Sequence, residues 1–259
     1  MKKYLKIWLL TSRNSFLSEV NQKAGFIVFL LGKIIRFGFF FYFVVFLLKG
    51  TQNLAGYSLD QTLFFFLTYN LIDTIAQFLF REVYRFRQLI VTGNFDLVLV
   101  KPMSSLFRVL MGGADLIDLI TLPPLIWAIF YIGAKFNPTP LAIFFFVMLV
   151  MNGLILATAF HIIVLGMGII SMEVDHTIMI YRDLNSLGRF PVDIYGQPVR
   201  SILTFFIPIG VMVTIPAKVF MGLTSSWYVV LSLFIGAVVF YGSLKFWQWS
   251  LTKYASASS

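Results

Sequence analysis

Long apolar runs separated by short polar stretches fill the chain from residue 26 onward. A helix needs about 20 apolar residues to cross the roughly 30 Å of hydrocarbon in a bilayer. Six runs are long enough, and they lie at 26–48, 59–80, 109–132, 141–168, 201–222 and 226–250. The pattern predicts an all-α polytopic membrane protein with six transmembrane helices, in a single transmembrane domain that covers residues 1–259.

The first 25 residues have a different pattern, in which an imperfect apolar side is flanked by lysines. Leu5, Trp8 and Phe16 share the apolar side, so residues 1–25 predict an interfacial helix that lies along the membrane surface. Five Lys and Arg lie in this segment, five in the loop at 81–108 and two in the C-terminal tail, whereas the opposite side holds three. Because cytoplasmic loops are enriched in Lys and Arg, we expect both termini in the cytoplasm.

The composition supports a membrane location. Apolar residues make up 59% of the chain and charged residues 12%, whereas soluble domains average about 45–50% and 25%. The formal net charge is +9, from 20 Lys and Arg against 11 Asp and Glu. We interpret this excess as a topology signal and not as a nucleic-acid-binding surface. The chain contains no Cys, which excludes disulfides and thiolate metal sites.

The motifs of several catalytic chemistries are absent. The sequence contains no G-x-x-x-x-G-K-S/T, so it has no phosphate-binding loop for ATP hydrolysis. It contains no G-x-S-x-G, and its two histidines, His161 and His176, are too few for a His-rich metal site. We interpret His161 as a packed or hydrogen-bonded side chain within the membrane. The chain is therefore predicted not to be an enzyme by itself and to bind no cofactor or metal.

Ionisable side chains inside the predicted spans are informative, because each costs about 3 kcal/mol at a helix centre unless it faces protein or water. The polar residues are Lys33 and Arg36 on the first helix, Asn70, Asp73 and Gln77 on the second, and Asp115 and Asp118 on the third. With both termini inside, Lys33, Asp73 and Asp115 lie about 10 Å from the cytoplasmic boundary. A network that locks the three helices together fits this pattern, and so do snorkelling cations beside acids that line a wet vestibule.

The loop at 81–108 is a second candidate site. The second helix can continue into this loop and end near Gly93, a residue that readily adopts the left-handed conformation that closes helices. Pro102 suits the first turn of a further helix. The candidate docking residues of the loop are Glu82, Arg85, Arg87, Gly93, Asp96, Leu99, Lys101 and Pro102. A loop that mixes apolar and charged residues is suited to docking another protein.

Two stretches of the chain resemble a known family. Residues 92–102, TGNFDLVLVKP, resemble the glycine, aspartate, leucine and lysine-proline pattern in the first cytoplasmic loop of type-2 ABC-transporter permeases. Residues 189–222, which include Pro208 and Pro216, resemble the region before the last helix in a six-helix subfamily of these permeases. Members of that subfamily are encoded with a sister permease and a separate ATPase. The resemblance extends over the whole chain in length and number of spans.

The resemblance implies a permease subunit in the cell membrane of a prokaryote, with no ATPase of its own. It implies two ATPase subunits as partners, and these would bind ATP and Mg. It also implies a second permease, which is either another copy of this chain in a homodimer or the sister chain in a heterodimer. A coupling helix for the ATPase would lie between Arg81 and Pro102.

The resemblance also moves the fifth crossing. In related exporters the proline-containing segment before the last helix forms a pair of short re-entrant helices on the outer side, and the fifth span precedes it. The fifth span would then be 174–191 and the re-entrant part 192–224, and Pro208 and Pro216 favour this version over a straight span at 201–222. The span at 174–191 would carry polar residues through a bundle or along a water-filled path. These residues are Arg182, Asp183, Asn185 and Arg189.

The function predicted from these features is export of an amphipathic or hydrophobic substrate, driven by an ATPase that docks on the first cytoplasmic loop. The direction of transport stays open, because the sequence does not exclude import. The alternative function is that of an ion-coupled secondary transporter or channel. It would use Asp73, Asp115 and Asp118 as a proton or cation relay.

Overall fold

The computed structural model describes residues 2–51, 53–171 and 174–255, and the side chains of all these residues except 48–51. Within these ranges the backbone forms helices and turns, and no strand occurs. The helices are α1 (Lys2–Asn21), α2 (Lys23–Thr51), α3 (Leu59–Phe80), α4 (Phe86–Val91), α5 (Phe95–Leu99), α6 (Ser105–Leu110), α7 (Leu116–Ala134), α8 (Pro140–Ser171), α9 (Val174–Ser186), α10 (Val199–Phe206), α11 (Gly210–Phe220) and α12 (Trp227–Leu251). The predicted all-α fold is confirmed.

Five helices in the described ranges are long and apolar enough to cross a membrane. They are α2, α3 with its continuation to Val91, α7, α8 and α12. The pair α10 and α11 passes the same test when taken together, but the two helices are bent by 75°. The bend contains Pro208, which has no N–H for a helical hydrogen bond. The predicted multi-pass architecture is confirmed, and its fifth crossing depends on how α9 and this bent pair are arranged.

The third predicted span begins later than the sequence indicated. The pattern predicted a helix over 109–132, but the structure has the short helix α6, a break at Gly112 and Gly113, and then α7. The side chain of Asp115 accepts hydrogen bonds from two backbone N–H groups in the first turn of α7, at 2.8 and 3.3 Å. Two glycines weaken a continuous helix and a carboxylate cap stabilises a new start, so the chain forms two helices here.

The core lies between α3, α8, α11 and α12. The rings of Phe64 and Phe220 stack with centroids 4.6 Å apart, and both contact Phe146. At Gly236 of α12 a Cβ atom would overlap the side chain of Asn152, whose Nδ2 donates a hydrogen bond to a backbone carbonyl of α12 at 2.9 Å. Small residues and interhelical hydrogen bonds of this kind allow helices to pack where lipid supplies no hydrophobic driving force.

The helix bundle has two ends, which we call basal and distal. The basal end holds α1 and α4 to α6, together with the end of α12. The distal end holds the turns after α2, between α7 and α8, and after α11. At the distal end Lys135 Nζ donates to Asp60 Oδ1 at 2.8 Å, which joins the start of α3 to the end of α7.

Residues 174–193 run beside α3 from the basal to the distal end. Near the basal end, Arg87 Nε lies 3.3 Å from Asp175 Oδ2. At the distal end, the Tyr57 hydroxyl donates to Asp193 Oδ2 at 2.8 Å. Asp175 therefore lies beside Arg87, just after α3, and Asp193 lies beside Tyr57, just before α3. Residues 174–193 thus extend over the full length of α3 in the opposite direction.

The hairpin formed by α10 and α11 begins and ends at the distal end. Arg200 near its start and Lys218 near its end both form ion pairs with Asp193. In the turn between α10 and α11, Pro208 and Ile209 are buried. Both ends of the hairpin therefore meet one carboxylate at the distal end.

Helix α1 lies against the basal end and contacts two other elements there. Lys3 Nζ donates to the Pro102 carbonyl at 3.1 Å. Ser12 Oγ accepts a hydrogen bond from the Ala114 N–H at 3.1 Å, just before α7. The helix predicted to lie on the membrane surface therefore connects the loop at 81–108 with the start of α7.

Candidate functional site

A large cavity lies between α2, α3, α7 and α9, and α1 borders it at the basal end. Its volume is about 1240 Å³, compared with about 300–1,000 Å³ for ordinary ligand pockets. Seven phenylalanines line it, together with six basic and four acidic side chains. Residues of the predicted intramembrane network and of the predicted pathway face this same space. The sequence predicted these two sets as separate sites.

Two ion pairs connect the walls of the cavity. Lys33 on α2 pairs with Asp118 in the first turn of α7, and Arg81 Nε lies 3.2 Å from Asp115 Oδ2. Both acids are buried at the N-terminus of α7, where the helix dipole stabilises negative charge. The sequence placed Lys33 level with Asp73 and Asp115. Because α7 begins later than predicted, the carboxylate that Lys33 meets is instead that of Asp118.

Asp73 has neutral hydrogen-bond partners. Gln77 Nε2 donates to its Oδ2 at 2.6 Å, and Asn185 Nδ2 donates to its Oδ1 at 2.9 Å. Asn70, the third member of the predicted stripe, donates instead to a backbone carbonyl of its own helix, that of Phe66, at 2.7 Å. Asn185 therefore attaches α9 to α3 at the cavity wall.

Three basic side chains in the cavity have no described carboxylate within ion-pair distance. They are Arg36, Arg182 and Arg189. The Arg189 guanidinium lies 5.7 Å from the centroid of the Phe40 ring, and that of Arg182 lies 6.0 Å from the Tyr84 ring. Asp183, the remaining predicted pathway residue, is exposed and does not line the cavity.

Glu19 of α1 is a cavity residue that the sequence analysis did not identify. Its Oε2 accepts a hydrogen bond from the Leu116 N–H at 3.1 Å, so it satisfies a free backbone donor at the start of α7. Burial, and then the nearby charge of Asp115, raises the pKa of Glu19 above its ordinary value. No local sequence signal indicates this contact, because the two partners are 97 residues apart.

The loop at 81–108 contains the short helix α5, within the range where the resemblance implies a coupling helix. Before it, α3 continues through a 3-10 turn and α4, and Gly93 then has a φ of +71°. Phe95 of α5 is fully buried, and its ring lies 5.1 Å from that of Tyr254 and 6.4 Å from that of Trp247. Phe95 therefore anchors α5 to α12, a role that the sequence analysis did not assign.

The outer side of this loop is apolar and basic. Leu97, Leu99 and Val100 are exposed, Val100 to 80%, and Lys101 and Pro102 beside them are exposed as well. We call these five residues the docking surface. Exposed apolar patches with a polar border are typical of sites of protein–protein interaction.

The other predicted loop residues have different environments. Glu82 is buried, with its Oε1 2.7 Å from Arg108 Nη1 and its Oε2 3.5 Å from Arg85 Nη1, so it holds the loop and is not available to a partner. Asp96 is half-buried. Pro102 lies in the turn before α6 and not in its first turn, because a serine two positions later caps that helix.

A second polar cluster lies at the distal end. Asp193 accepts from the Tyr57 hydroxyl at 2.8 Å, pairs with Lys218 Nζ at 2.6 Å and also pairs with Arg200. Burial alone raises the pKa of Asp193, but the hydrogen bonds from Lys218 and Tyr57 and the two cationic charges outweigh burial and hold this pKa below its ordinary value. The sequence did not predict this cluster, which joins the end of residues 174–193, here called the α9 segment, to both ends of the hairpin.

No metal-ligand cluster is present in the described part of the chain, where no three His, Asp or Glu side chains are arranged to hold an ion. His161 is buried, with Nδ1 2.7 Å from the Ala157 carbonyl oxygen, and its ring packs against Phe80 and Tyr181. This matches the packed, hydrogen-bonded environment predicted for it.

Comparison with known protein families gives one informative match. The model of the family described as ABC-2 family transporter protein matches residues 34–258. The match begins within α2, just after Lys33, and includes the cavity walls from there onward, the docking surface and the hairpin. No curated protein and no solved structure matches the chain.

Proposed function

The chain belongs to the ABC-2 transporter family and is the multi-pass permease subunit of an ABC transporter that works with an ATPase subunit; from this premise we propose that it exports an amphipathic or hydrophobic substrate through the cavity. The ATPase would bind the docking surface and would supply ATP and Mg, since this sequence has no phosphate-binding loop. The observation that carries the proposal is α5, a helix with a buried inner side and exposed apolar residues outside.

The docking surface has the properties that a partner protein requires. Its apolar residues are followed directly by the exposed Lys101 and Pro102, and they lie in the loop at 81–108, outside the long apolar helices. Lipid is therefore not expected to bury the side chains of Leu97 and Val100. Apolar area outside the lipid-facing belt is favourable to bury against protein.

Motion of the docking surface has two routes to the cavity. Phe95 contacts α12, and its ring also lies 5.3 Å from that of Phe86 in α4, which continues the cavity helix α3. The second route runs through α1. Its Lys3 donates a hydrogen bond to the Pro102 carbonyl, and its Glu19 caps the start of α7. Close-packed side chains transmit displacement. ATP shifts the permease between states only if the ATPase binds this surface differently in its ATP-bound form.

We propose that the basal end faces the cytoplasm and that 174–191 is the fifth crossing. The basal end carries the Lys- and Arg-rich segments at 1–25 and 81–108, with five basic residues each. The α9 segment extends along all of α3, and its Arg182 and Arg189 line the cavity, where polar side chains are tolerated. The hairpin would then be re-entrant from the outer side, because both of its ends meet Asp193.

The complete transporter is proposed to contain two permease chains and two ATPase chains. Helix α2 supports a second permease, because Phe29, Phe39 and Phe46 are 72–78% exposed in the single chain. The same helix forms one wall of the cavity, so a permease packed against α2 would close the cavity from the side. Another copy of this chain and a sister permease both fit this role.

The docking test uses the full-length chain and its partner ATPase, purified together in detergent. Replacing Leu97, Leu99 and Val100 by Ser should reduce co-purification at least about tenfold and remove permease-stimulated ATP hydrolysis. Val230→Ser and Val238→Ser on α12 are matched controls with 56% and 53% exposure, and they should retain binding. Unchanged co-purification of the triple variant would place the docking site elsewhere.

The alternative, a relay of ions through acidic residues, has less support. Asp73 accepts from two amides, whereas Asp115 and Asp118 are paired with Arg81 and Lys33. Carboxylates with such fixed partners are better suited to stabilising the fold than to gaining and losing protons repeatedly. Transport by the purified chain alone, in vesicles with an ion gradient and no ATPase, would establish the relay instead.

A further inference from the structure

The cavity contains positive charge that its own acids do not neutralise. Arg36, Arg182 and Arg189 lie beyond ion-pair distance of every described carboxylate, whereas Lys33 and Arg81 are paired. Ionisable groups within a membrane region are costly unless they are paired or hydrated. We propose, resting on the transport function above, that the three arginines bind the anionic head of an amphipathic substrate whose apolar tail lies along the phenylalanines of α2.

The three arginines reach the cavity from two different elements. Arg36 lies on α2, whereas Arg182 and Arg189 belong to the α9 segment on another wall. Asp73 interacts electrostatically with Arg36 and Arg182, but its contact partners are the amides of Gln77 and Asn185. With six basic and four acidic side chains around the cavity, the excess charge is positive.

Arginine is well suited to an acidic head group. Its planar guanidinium presents paired N–H donors that match the oxygens of phosphate or carboxylate, and it is more weakly hydrated than an ammonium group. Arg189 additionally lies 5.7 Å from the centroid of the Phe40 ring. A side-chain hydrogen bond with Tyr69 also holds the Arg189 guanidinium, and the remaining N–H groups of its five donors can meet a ligand.

The wall beside the arginines is apolar. On α2, Phe29, Phe40 and Phe43 are 7, 4 and 7 residues from Arg36, so all four lie on one side of the helix. The ring of Phe40 also stacks on that of Phe66 of α3, with centroids 4.4 Å apart. One side of α2 therefore offers a cation flanked by aromatic rings, which matches a molecule with a charged head and an apolar tail.

The test measures binding to the purified full-length chain in neutral detergent by native mass spectrometry, with no ATPase present. The probes are dodecyl phosphate, dodecylphosphocholine and inorganic phosphate, which separate the contributions of head charge and tail. We expect dodecyl phosphate to bind at least about tenfold more tightly than either of the other two probes. This experiment does not measure ATPase docking. A negative result would therefore reject the anion site and not the docking surface, and a negative docking result would not reject the anion site.

The variants Arg36→Gln, Arg182→Gln and Arg189→Gln should each weaken dodecyl phosphate binding about tenfold. Binding of dodecylphosphocholine should change little, which shows that the cavity is still folded. Arg13→Gln, at an exposed arginine of α1 that does not line the cavity, is the matched control and should bind like the wild type. Arg36→Lys, which keeps the charge, should retain most of the preference for the anion.

An anionic phospholipid and a transported anionic amphiphile both have an acidic head and an apolar tail. The mass spectra distinguish the two. A co-purified phospholipid adduct that dodecyl phosphate displaces would assign the site to lipid. A chain that carries no such adduct but binds dodecyl phosphate would assign it to a transported amphiphile. Equal affinity for dodecyl phosphate and dodecylphosphocholine, or full binding by all three glutamine variants, would overturn the proposal.

Discussion

The cluster around Asp193 determines how the hairpin of α10 and α11 is held at the distal end. Asp193→Asn keeps the shape of the side chain and an oxygen for the Tyr57 hydroxyl, but it removes the negative charge. Lys218, whose side chain is 18% exposed, and Arg200, at 47%, would then lose their counter-ion. The variant therefore tests the ion pairs with little change in packing.

The expected loss follows from burial. Removing one partner of a buried ion pair costs about 3–5 kcal/mol, whereas exposed pairs contribute about 0–1 kcal/mol. The pair with Lys218 resembles a buried ion pair, and the pair with Arg200 resembles an exposed one. Asp193→Asn should therefore lower the free energy of unfolding by about 2–4 kcal/mol. A double-mutant cycle should therefore give a larger coupling energy to Lys218→Met than to Arg200→Met.

The assay is thermal unfolding of the purified full-length chain in micelles, followed by far-UV circular dichroism. At about 2–4 °C per kcal/mol for a chain of this size, Tm should fall by about 5–15 °C. Lys135→Met removes an exposed ion pair at the same end and should lower Tm far less. A Tm for Asp193→Asn like that of the control, or equal coupling to both cations, would refute this account of the hairpin.

Asp193 also predicts a pH dependence. Because its pKa is lowered in the folded chain, its contribution is complete above the ordinary value of 3.8 and is lost as the pH falls through the lowered pKa. The Tm difference between wild type and Asp193→Asn should therefore be constant near neutral pH and disappear in strong acid. A difference that shrinks already between pH 5 and 7 would contradict this assignment.

Three further predictions concern other contacts. Lys33→Asp with Asp118→Lys should recover most of the Tm that either single change loses in micelles, and absence of rescue would contradict the ion pair. Gly93→Ala should weaken ATPase binding several-fold in a titration, because a φ of +71° costs alanine about 1–2 kcal/mol. Gly236→Ala should lower the free energy of unfolding by about 1–3 kcal/mol, because its methyl group would overlap an amide of α8. Gly242→Ala, in open space on the same helix, is the control.

Apolar run length located most of the spanning helices, because a helix that faces lipid must be apolar along its length. The prediction over 59–80 matches α3, and that over 226–250 matches α12 to within one residue. Hydropathy alone does not predict a span at 174–191, because it counts polarity without regard to what a side chain faces. Arg182 lines the cavity and Asn185 is hydrogen-bonded to α3, and only the resemblance to a family predicts a span there.

The pairing of charges could not be predicted from the sequence. The partner of Lys33 depends on where α7 begins, and that start is set by Gly112, Gly113 and the capping carboxylate of Asp115. The contact of Glu19 joins residues 97 positions apart, and that of Asp193 with a tyrosine joins residues 136 positions apart. Local periodicity carries no information about such contacts.

The contacts that would change during transport are also those that set the charge of the cavity. Glu19 of α1 and Lys33 of α2 both contact the start of α7. Helix α1 is also hydrogen-bonded to the loop that contains the docking surface. If ATPase binding moves α1 and breaks either contact, the potential around Arg36 and Arg182 changes as well. The affinity of the cavity for an anion and the affinity of the docking surface for the ATPase are then linked. By reciprocity, a substrate that the cavity binds more tightly in one state must shift ATPase binding by the same factor.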